Sequence, residues 1–474
     1  MNKFKLFIEN FLVYGLGGVI SKIIPLIMVP IVTRMMPSSV FFGISDLSNA
    51  IVQIGSYLAI MGMYDAMYRM FFEKEEEAYK IKVCSTAFSF TLSSSIVVFL
   101  IVIIFRGLIA RLFMKDVGYS YVVSLSAVTI LVSTSYSILA APTRMQNKRV
   151  VFLITNTISP ILSYAVAIPL LLAGYYIVAL PIAAAITGIT MGTAFAIMNR
   201  KWFRLREFDA SLLKQMLVFA IPLLPNFLIY WVFNSCDKVM ITNMIGLGAE
   251  GIYAVGSKLG HASQLIYTAF AGGWQYFAFA TMKEENQVES NSKVFEYLGT
   301  ISFVATAFIC AWSYGVYKVL FPETYLSGYI VAPYLFLAPL LQMLFQVAAN
   351  QFLVVKKTWP NLFILTTGAV INIAINFLLI PVCGIEGAAV ATMIGYIISD
   401  IICVLVLMRM KLMVVSNRFL LSCGIFVCFM ITWRAFFKMS PVVGTLCACA
   451  FLACMLLLYI KDIKALLRGI KAAS

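Results

Sequence analysis

The sequence predicts an all-α, polytopic membrane protein with about fourteen transmembrane helices. Hydrophobic residues make up 62% of the 474 residues and charged residues only 12%, whereas soluble domains average about 25% charged residues. Apolar runs of about 20 residues, the length of a spanning helix, follow one another along almost the whole chain. The loops between these runs are too short to form a separate extramembrane domain.

The candidate spans fall into three groups along the chain. The first six lie near residues 11–33, 40–63, 83–105, 119–141, 150–173 and 175–199. The next six lie near residues 211–236, 251–280, 294–317, 328–354, 361–380 and 386–408. The last two lie near residues 418–437 and 441–460. Prolines in two of these spans, Pro25 and Pro30 in the first and Pro222 and Pro225 in the seventh, predict bends in those helices.

The charge distribution predicts the orientation of the chain. The formal net charge is +15, and most of the 35 Lys and Arg residues fall in alternate loops. Because such loops lie on the cytoplasmic side, we expect both termini to be cytoplasmic and the protein to lie in the inner (plasma) membrane. With no soluble segment long enough for a binding domain, nucleic-acid binding is not expected.

Cysteine and histidine usage argues against a metal site. Most of the 10 cysteines lie within apolar runs, none forms a Cys-x-x-Cys pair, and the chain has one histidine. Structural zinc sites draw four ligands from these residue types at short spacings. The cysteines are therefore expected to be packing residues, and no metal or other cofactor is predicted.

Three pairs of similar segments indicate an internal repeat. "AGYYIVALPIAAAITG" from Ala173 resembles "CGIEGAAVATMIGY" from Cys383, about 210 residues later. "MQNKRV" and "VVKKTW", and likewise "SSVFFGIS" and "EGIYAVGS", repeat at nearly the same offset. The repeat predicts two six-helix lobes, residues 1–206 and 207–411, related by a pseudo-two-fold axis along the membrane normal. Residues 412–474 are then a two-helix appendage, a helical hairpin, with a cytoplasmic tail.

Several segments resemble a known transporter family. "DKVMITNMIGLGAEGIYAVGSKL", starting at Asp237, resembles the start of the second half of polysaccharide transporters. "IPVCGIEGAAVATMIGY" resembles their twelfth span, and "GVISKIIPLIMVPIVTRMM" resembles their opening helix. These transporters are oligosaccharide-lipid flippases of the multidrug/oligosaccharidyl-lipid/polysaccharide exporter superfamily, which has the MATE-like fold.

The resemblance implies a flippase rather than an enzyme. Its cargo would be an undecaprenyl-diphosphate-linked oligosaccharide repeat unit, carried from the cytoplasmic to the periplasmic leaflet by alternating access during O-antigen, exopolysaccharide or lipopolysaccharide synthesis. The expected partners are this lipid-linked oligosaccharide, membrane lipids and other polysaccharide-assembly proteins. A peptidoglycan-precursor flippase and a multidrug or cation exporter of the same superfamily remain open, and Lys22 in mid-membrane argues against cationic cargo.

Basic residues within or beside the spans are the candidates for substrate binding. Lys22 lies about 16 Å into span one, too deep for its side chain to reach either membrane surface. It therefore predicts a wet cavity or a paired carboxylate. Lys258 lies in the outer half of span eight, and Lys238 and Arg34 lie at the outer interface. Fixed cations of this kind would offset the negative charge of a diphosphate.

Acidic residues and the histidine are candidates for ion coupling or ion pairing. Asp46, in the outer half of span two, could pair with Lys22 or Lys258, or carry a coupling proton. Asp237 is placed at the outer interface. Asp400, in span twelve, and His261, in span eight, could couple to an ion or serve as hydrogen-bonded packing residues.

Overall fold

The computed structural model describes residues 21–280, 285–355, 357, 359–462 and 464, which form helices and no β-strand. The helices pack into two compact units. The first unit comprises the described residues up to Ala254 together with Ile373–Ala388. The second comprises Val255–Asn372 and the described residues from Ala389 onward.

The first unit is built from short and long helices in chain order. They are α1 (21–35), α2 (Ser39–Ile60), α3 (Met63–Phe71), α4 (Glu77–Ile104), α5 (Arg106–Met114), α6 (Ser120–Met145), α7 (Arg149–Leu172), α8 (Ala179–Met198), α9 (Ala210–Ala220), α10 (Leu224–Trp231), α11 (Asp237–Met244) and the N-terminal part of α12 (Leu247–Gly260). A 3₁₀ turn at Ile221–Leu223, which contains Pro222, separates α9 from α10 in span seven, and the predicted bends in spans one and seven stay predictions. A π-helical turn, Val232–Cys236, joins α10 to α11.

The second unit holds the remaining helices. They are the rest of α12, α13 (Gln264–Ala280), α14 (Gln287–Leu320), α15 (Ala332–Val354), α16 (Trp359–Arg409), α17 (Asn417–Thr432) and α18 (Pro441–Leu458). The middle of α16 belongs to the first unit, and the helix is broken at Gly384, where φ is 60° and ψ is −139°.

The predicted fold class, an all-α membrane protein, is confirmed. Within the described residues, 10 helices are long and apolar enough to cross a membrane, and one of them, α16, holds two of the predicted spans over 51 residues. The total of fourteen spans, the lobes 1–206 and 207–411, the appendage 412–474 and the pseudo-two-fold axis stay predictions. Residues 11–20 of the first predicted span lie outside the described part of the chain.

Local sequence determines where α2 begins and ends. Ser38 caps the start of α2 by accepting a hydrogen bond from the Val40 N–H at 3.3 Å. Met61 and Gly62 then adopt positive φ values of 49° and 76°, which end α2 and start α3. A Cβ atom at Gly62 would lie 2.6 Å from the Ala220 carbonyl oxygen, so this turn requires glycine on two grounds.

Small polar side chains join the long helices of the first unit. Ser48 on α2 and Ser126 on α6 are hydrogen-bonded at 2.8 Å in the interior. Asn199, just after α8, donates to the Leu139 carbonyl at 2.8 Å and to the Thr143 hydroxyl at 2.9 Å on α6. Small and hydroxyl-bearing residues are typical of helix interfaces in membranes, because they permit close approach and interhelical hydrogen bonds.

Aromatic packing joins α17 to α14 within the second unit. Phe419 occupies the space that Gly299 leaves on α14, where an added Cβ atom would lie 2.6 Å from the phenylalanine ring. Phe303 and Phe426 stack one helical turn or more farther along, with ring centroids 4.5 Å apart. The C-terminal helices are thus held by interlocking rings rather than by a loose loop contact.

Candidate functional site

A buried polar cluster lies in the first unit where α2, α11 and α12 meet. We define this cluster by Asp46 on α2, Asp237 and Lys238 on α11, and Glu250 and Tyr253 on α12. The first unit contains all five of these residues. Four of them carry ionisable acid or ammonium groups, which are costly to place away from water and are therefore candidates for function.

Lys238 is the centre of the buried polar cluster. Its Nζ lies 2.7 Å from Asp46 Oδ2, and the two side chains are only 12% and 2% exposed. The carboxylates of Asp237 and Glu250 also interact electrostatically with this ammonium group. Glu250 is completely buried. A single lysine therefore serves three acidic side chains within a small volume.

Asp237 has further hydrogen bonds of its own. Its Oδ1 accepts from the Lys238 backbone N–H at 2.9 Å, and its Oδ2 accepts from the Tyr253 hydroxyl. Both bonds favour the charged form of the carboxylate. Asp237 is thus compensated partly by groups other than the Lys238 ammonium.

Two glycines allow the helices of the buried polar cluster to come together. A Cβ atom at Gly43 on α2 would lie 2.6 Å from Glu250 Oε2. A Cβ atom at Gly251 on α12 would lie 1.9 Å from the Ser39 carbonyl oxygen. The backbones of α2 and α12 are therefore in direct contact, as at other small-residue helix crossings in membranes.

A series of hydrogen bonds extends this contact along α2. The Trp231 indole N–H donates to the Ala50 carbonyl at 2.9 Å, and the Ser235 hydroxyl donates to Gln53 at 3.1 Å. Together with the Lys238–Asp46 ion pair, these bonds link segments that the repeat assigns to different halves of the sequence. Buried polar contacts of this kind fix the register of the helices that they join.

The structure corrects two expectations about these residues. Asp46, expected to pair with Lys22 or Lys258 or to carry a coupling proton, forms an ion pair with Lys238. Asp237 and Lys238, expected at the outer interface, are largely shielded from solvent, since Asp237 is 3% exposed and the Lys238 side chain is 12% exposed. The physical reason is the close approach of α2 to α12 that Gly43 and Gly251 permit, because it leaves little room for water beside these side chains.

The other predicted basic residues are more accessible. Lys22 and Arg34 lie on α1 in the first unit, and both side chains are exposed. Lys258 lies on the part of α12 that belongs to the second unit, and its side chain is also exposed. All three side chains are thus more accessible than that of Lys238, which is 12% exposed.

His261 and Asp400 both lie in the second unit and differ sharply in their surroundings. His261 Nδ1 is 2.8 Å from the Ser257 carbonyl oxygen, one turn earlier, so this nitrogen carries the proton. This contact supports the packing interpretation of the histidine. Asp400 is 8% exposed, and neither of its carboxylate oxygens has a hydrogen-bond partner among the described residues. Both expected roles of Asp400, ion coupling and hydrogen-bonded packing, stay predictions.

Comparison with protein families identifies the chain. Residues 31–330 match the model of a family described as polysaccharide biosynthesis protein. The chain belongs to this polysaccharide biosynthesis family. The predicted resemblance to polysaccharide transporters is confirmed by this match.

Solved structures with the same fold include a lipid flippase and multidrug transporters. The polysaccharide biosynthesis protein matches the lipid II flippase MurJ in an inward closed conformation with a TM-score of 0.71 and 14% identity, covering 95% of this chain and 100% of that one. It matches an inward-facing multidrug resistance MATE transporter of the MOP superfamily with a TM-score of 0.59 and 14% identity, covering 83% and 98%. A Vibrio cholerae MATE transporter, VcmN, matches with a TM-score of 0.60 and 12% identity, covering 86% of this chain and 98% of that one. Curated protein sequences give no match.

Sequence reasoning missed two members of the buried polar cluster in this polysaccharide biosynthesis protein. Glu250 lies in "GLGAEG", which has the composition of an exposed turn, and Tyr253 lies in an apolar run. The flanking Gly251 was the available signal, because an acidic residue beside a glycine at a helix start can lie against another backbone. No group of three or more His, Cys, Asp or Glu residues in the described ranges is arranged to hold a metal ion.

Proposed function

We propose that the protein is a flippase that carries undecaprenyl-diphosphate-linked oligosaccharide repeat units from the cytoplasmic to the periplasmic leaflet by alternating access. The observation that carries this proposal is the match to a polysaccharide biosynthesis family on a fold shared with a lipid II flippase. A saccharide polymer built from lipid-linked units needs such a carrier, because a charged, hydroxyl-rich head group does not cross hydrocarbon unaided.

The exposed basic residues give the proposed cargo a binding chemistry. A diphosphate carries about two negative charges, and lysine binds phosphate as a point charge. Lys22, Lys258 and Arg34 all have exposed side chains and are assigned to this role. Lys238 is assigned instead to Asp46, with which it forms an ion pair.

The proposed placement follows from the same function. The protein lies in the inner membrane with cytoplasmic N- and C-termini, as the distribution of Lys and Arg indicates. It works beside membrane lipids and the polysaccharide-assembly proteins that make and polymerise the repeat unit, in O-antigen, exopolysaccharide or lipopolysaccharide synthesis. It forms and breaks no covalent bond, so it is a carrier and not an enzyme.

A second candidate function is transport of a peptidoglycan precursor. The observation in its favour is the likeness to MurJ, which extends over 95% of the chain. The likeness to multidrug MATE transporters extends over 83% to 86% and gives drug export as a third candidate. All three functions use the same fold and differ in cargo.

Reconstituted vesicles distinguish these three functions. The cargoes are the lipid-linked saccharide that accumulates in the source strain after deletion of this gene, lipid II, and the cationic dye ethidium. We expect movement of the first cargo between leaflets, with no change in its chemical structure. Selective movement of lipid II or of ethidium would replace the proposed cargo, and a new glycosidic bond would contradict the carrier function.

The same assay tests the lysines. Lys22→Ala should lower transport severely while the amount of protein in the membrane stays near normal, and Lys22→Arg should retain part of it because the charge is kept. Lys115→Ala is the matched control, since Lys115 is an exposed lysine that bonds to the Asn243 carbonyl. Normal transport by well-expressed Lys22→Ala protein would remove Lys22 from the site.

A further inference from the structure

An aromatic ladder runs along one face of the short helix α3. We define the aromatic ladder as Tyr64, Tyr68 and Phe72, which recur every four residues and so lie one above another. Ring centroids are 6.3 Å apart for Tyr64 and Tyr68 and 5.6 Å apart for Tyr68 and Phe72. Tyr68 is 36% exposed and Phe72 is 53% exposed. The opposite face of α3 is buried in the core through Met63, Ala66, Met67, Met70 and Phe71.

A fixed positive charge lies at the Tyr64 end of the aromatic ladder. Arg144, at the end of α6, donates from Nη1 to the Tyr64 hydroxyl at 3.3 Å. Its guanidinium also lies over the Phe152 ring, 5.4 Å from the centroid. An arginine held by aromatic neighbours is well suited to a phosphate group, because its planar fork is already positioned.

The Phe72 end of the aromatic ladder carries side chains of both signs, with Lys74 over the Tyr79 ring and Lys80 over the Phe71 ring. Glu73 follows directly and accepts a hydrogen bond from the Tyr79 hydroxyl at 3.3 Å. Glu75 is paired with Lys80 at 2.7 Å. Carboxylates repel phosphate but accept hydrogen bonds from hydroxyl groups. The two ends of the ladder therefore differ in the groups that they would favour.

We propose that the aromatic ladder is the cytoplasmic docking platform for the saccharide of a lipid-linked diphosphate, with Arg144 binding the diphosphate. This proposal rests on the proposed function. With a cytoplasmic N-terminus, span one leads outward and span two returns, so α3, at the end of span two, lies on the cytoplasmic side. Sugar rings present C–H groups that pack against the negatively charged faces of aromatic rings. Aromatic rings spaced by one helical turn, about 5.4 Å, can contact successive sugar units. The diphosphate at Arg144 then directs the saccharide toward Phe72 and the hydroxyl-binding carboxylates.

Exposed aromatic residues also occur where a membrane protein meets lipid head groups. Leucine can replace tyrosine or phenylalanine at such an interface without loss of apolar contact. Leucine cannot replace an aromatic face against a sugar ring. Substitution of Tyr68 and Phe72 by leucine therefore separates sugar binding from an interfacial role.

The test measures binding of two lipids to purified protein in nanodiscs. One lipid is the saccharide-linked diphosphate extracted from the source strain lacking this gene, and the other is undecaprenyl diphosphate, which has no sugar. The variants are the double substitution Tyr68→Leu/Phe72→Leu, the ring-preserving Tyr68→Phe, and Arg144→Gln. Tyr175→Leu is the matched control, because Tyr175 is a 60% exposed tyrosine in the turn between α7 and α8.

We expect the double leucine variant to bind the saccharide-linked lipid about tenfold more weakly, with unchanged affinity for undecaprenyl diphosphate. Unchanged binding of the sugarless lipid also shows that the variant is folded. Tyr68→Phe and Tyr175→Leu should behave like the wild type, and Arg144→Gln should weaken binding of both lipids.

Three results would overturn the platform. Equal affinities for the saccharide-linked lipid in the double leucine variant and in the Tyr175→Leu control would show that the rings do not contact sugar. Equal losses for both lipids in the double variant would assign the ladder to the membrane interface. Undiminished binding by Arg144→Gln would remove the diphosphate contact. Absence of binding by the wild type is a different result, since it would contradict the proposed function itself.

Discussion

Removal of the Lys238 ammonium should destabilise the first unit strongly. Lys238→Ala leaves Asp46, which is 2% exposed, without the partner that now lies 2.7 Å away. Truncation of one member of a buried ion pair typically costs about 3–5 kcal/mol, because the other charge stays buried and uncompensated. The completely buried Glu250 loses the same neighbouring charge, which places the expected cost toward the upper end of that range.

The cost should depend on charge rather than on packing alone. Lys238→Met combined with Asp46→Leu replaces the pair by apolar side chains and should recover about 2 kcal/mol or more relative to Lys238→Met alone. Asp237 should need little rescue, because the Tyr253 hydroxyl and the Lys238 backbone N–H still donate to it. The difference between the single and double variants therefore isolates the stranded Asp46 carboxylate.

Unfolding in detergent micelles, followed by tryptophan fluorescence, measures these differences. Lys115→Ala is the control, and as an exposed lysine it should change stability by less than about 0.5 kcal/mol. Stability of Lys238→Ala equal to that of the wild type would refute the assignment of Lys238 to Asp46. Failure of the double variant to regain stability would show that the loss comes from packing and not from an unpaired charge.

Two further predictions concern the backbone contact between α2 and α12 at Gly251 and the topology of the chain. Gly251→Val should abolish most folded protein in fluorescence-detected gel filtration, because a Cβ atom there would lie 1.9 Å from the Ser39 carbonyl oxygen, whereas Gly424→Ala, with nothing within 4 Å, should elute like the wild type. Equal profiles would contradict the backbone contact between α2 and α12. Cys383 is exposed at the break in α16, and the proposed topology places it outside. A membrane-impermeant maleimide should therefore label Cys383 in intact cells, and labelling only after lysis would reverse the orientation.

Hydropathy was sufficient to predict the fold class, because about 20 apolar residues in a row have few uses other than crossing a membrane. The interruption of α-helical hydrogen bonding at Pro222 was predictable for a similar reason, since proline removes a backbone donor wherever it occurs in a helix. Both predictions depend on residues that lie close together in the sequence.

The partner of Asp46 could not be predicted in this way. Asp46 and Lys238 are far apart in the chain, and their meeting depends on how α2 and α11 are rotated about their axes. That rotation is influenced by the π-helical turn Val232–Cys236. The sequence of this turn contains neither proline nor glycine, so it gives no sign of an irregular helix. The prediction of the cationic site was limited in the same way. The position of each lysine within its predicted span did not show that the Lys22 side chain is exposed whereas the Lys238 side chain is only 12% exposed.

The π-helical turn at Val232–Cys236 has a consequence for comparing relatives of this protein. A π turn holds one residue more than the α-helical turn that it replaces. A relative that lacks one residue here could keep the same helix faces before and after the turn, with an uninterrupted α-helix between them. The second such turn, Trp433–Phe437, follows the same logic near the C-terminus. Sequence alignments should therefore allow a single-residue gap inside these two membrane helices, where gaps are normally penalised most heavily.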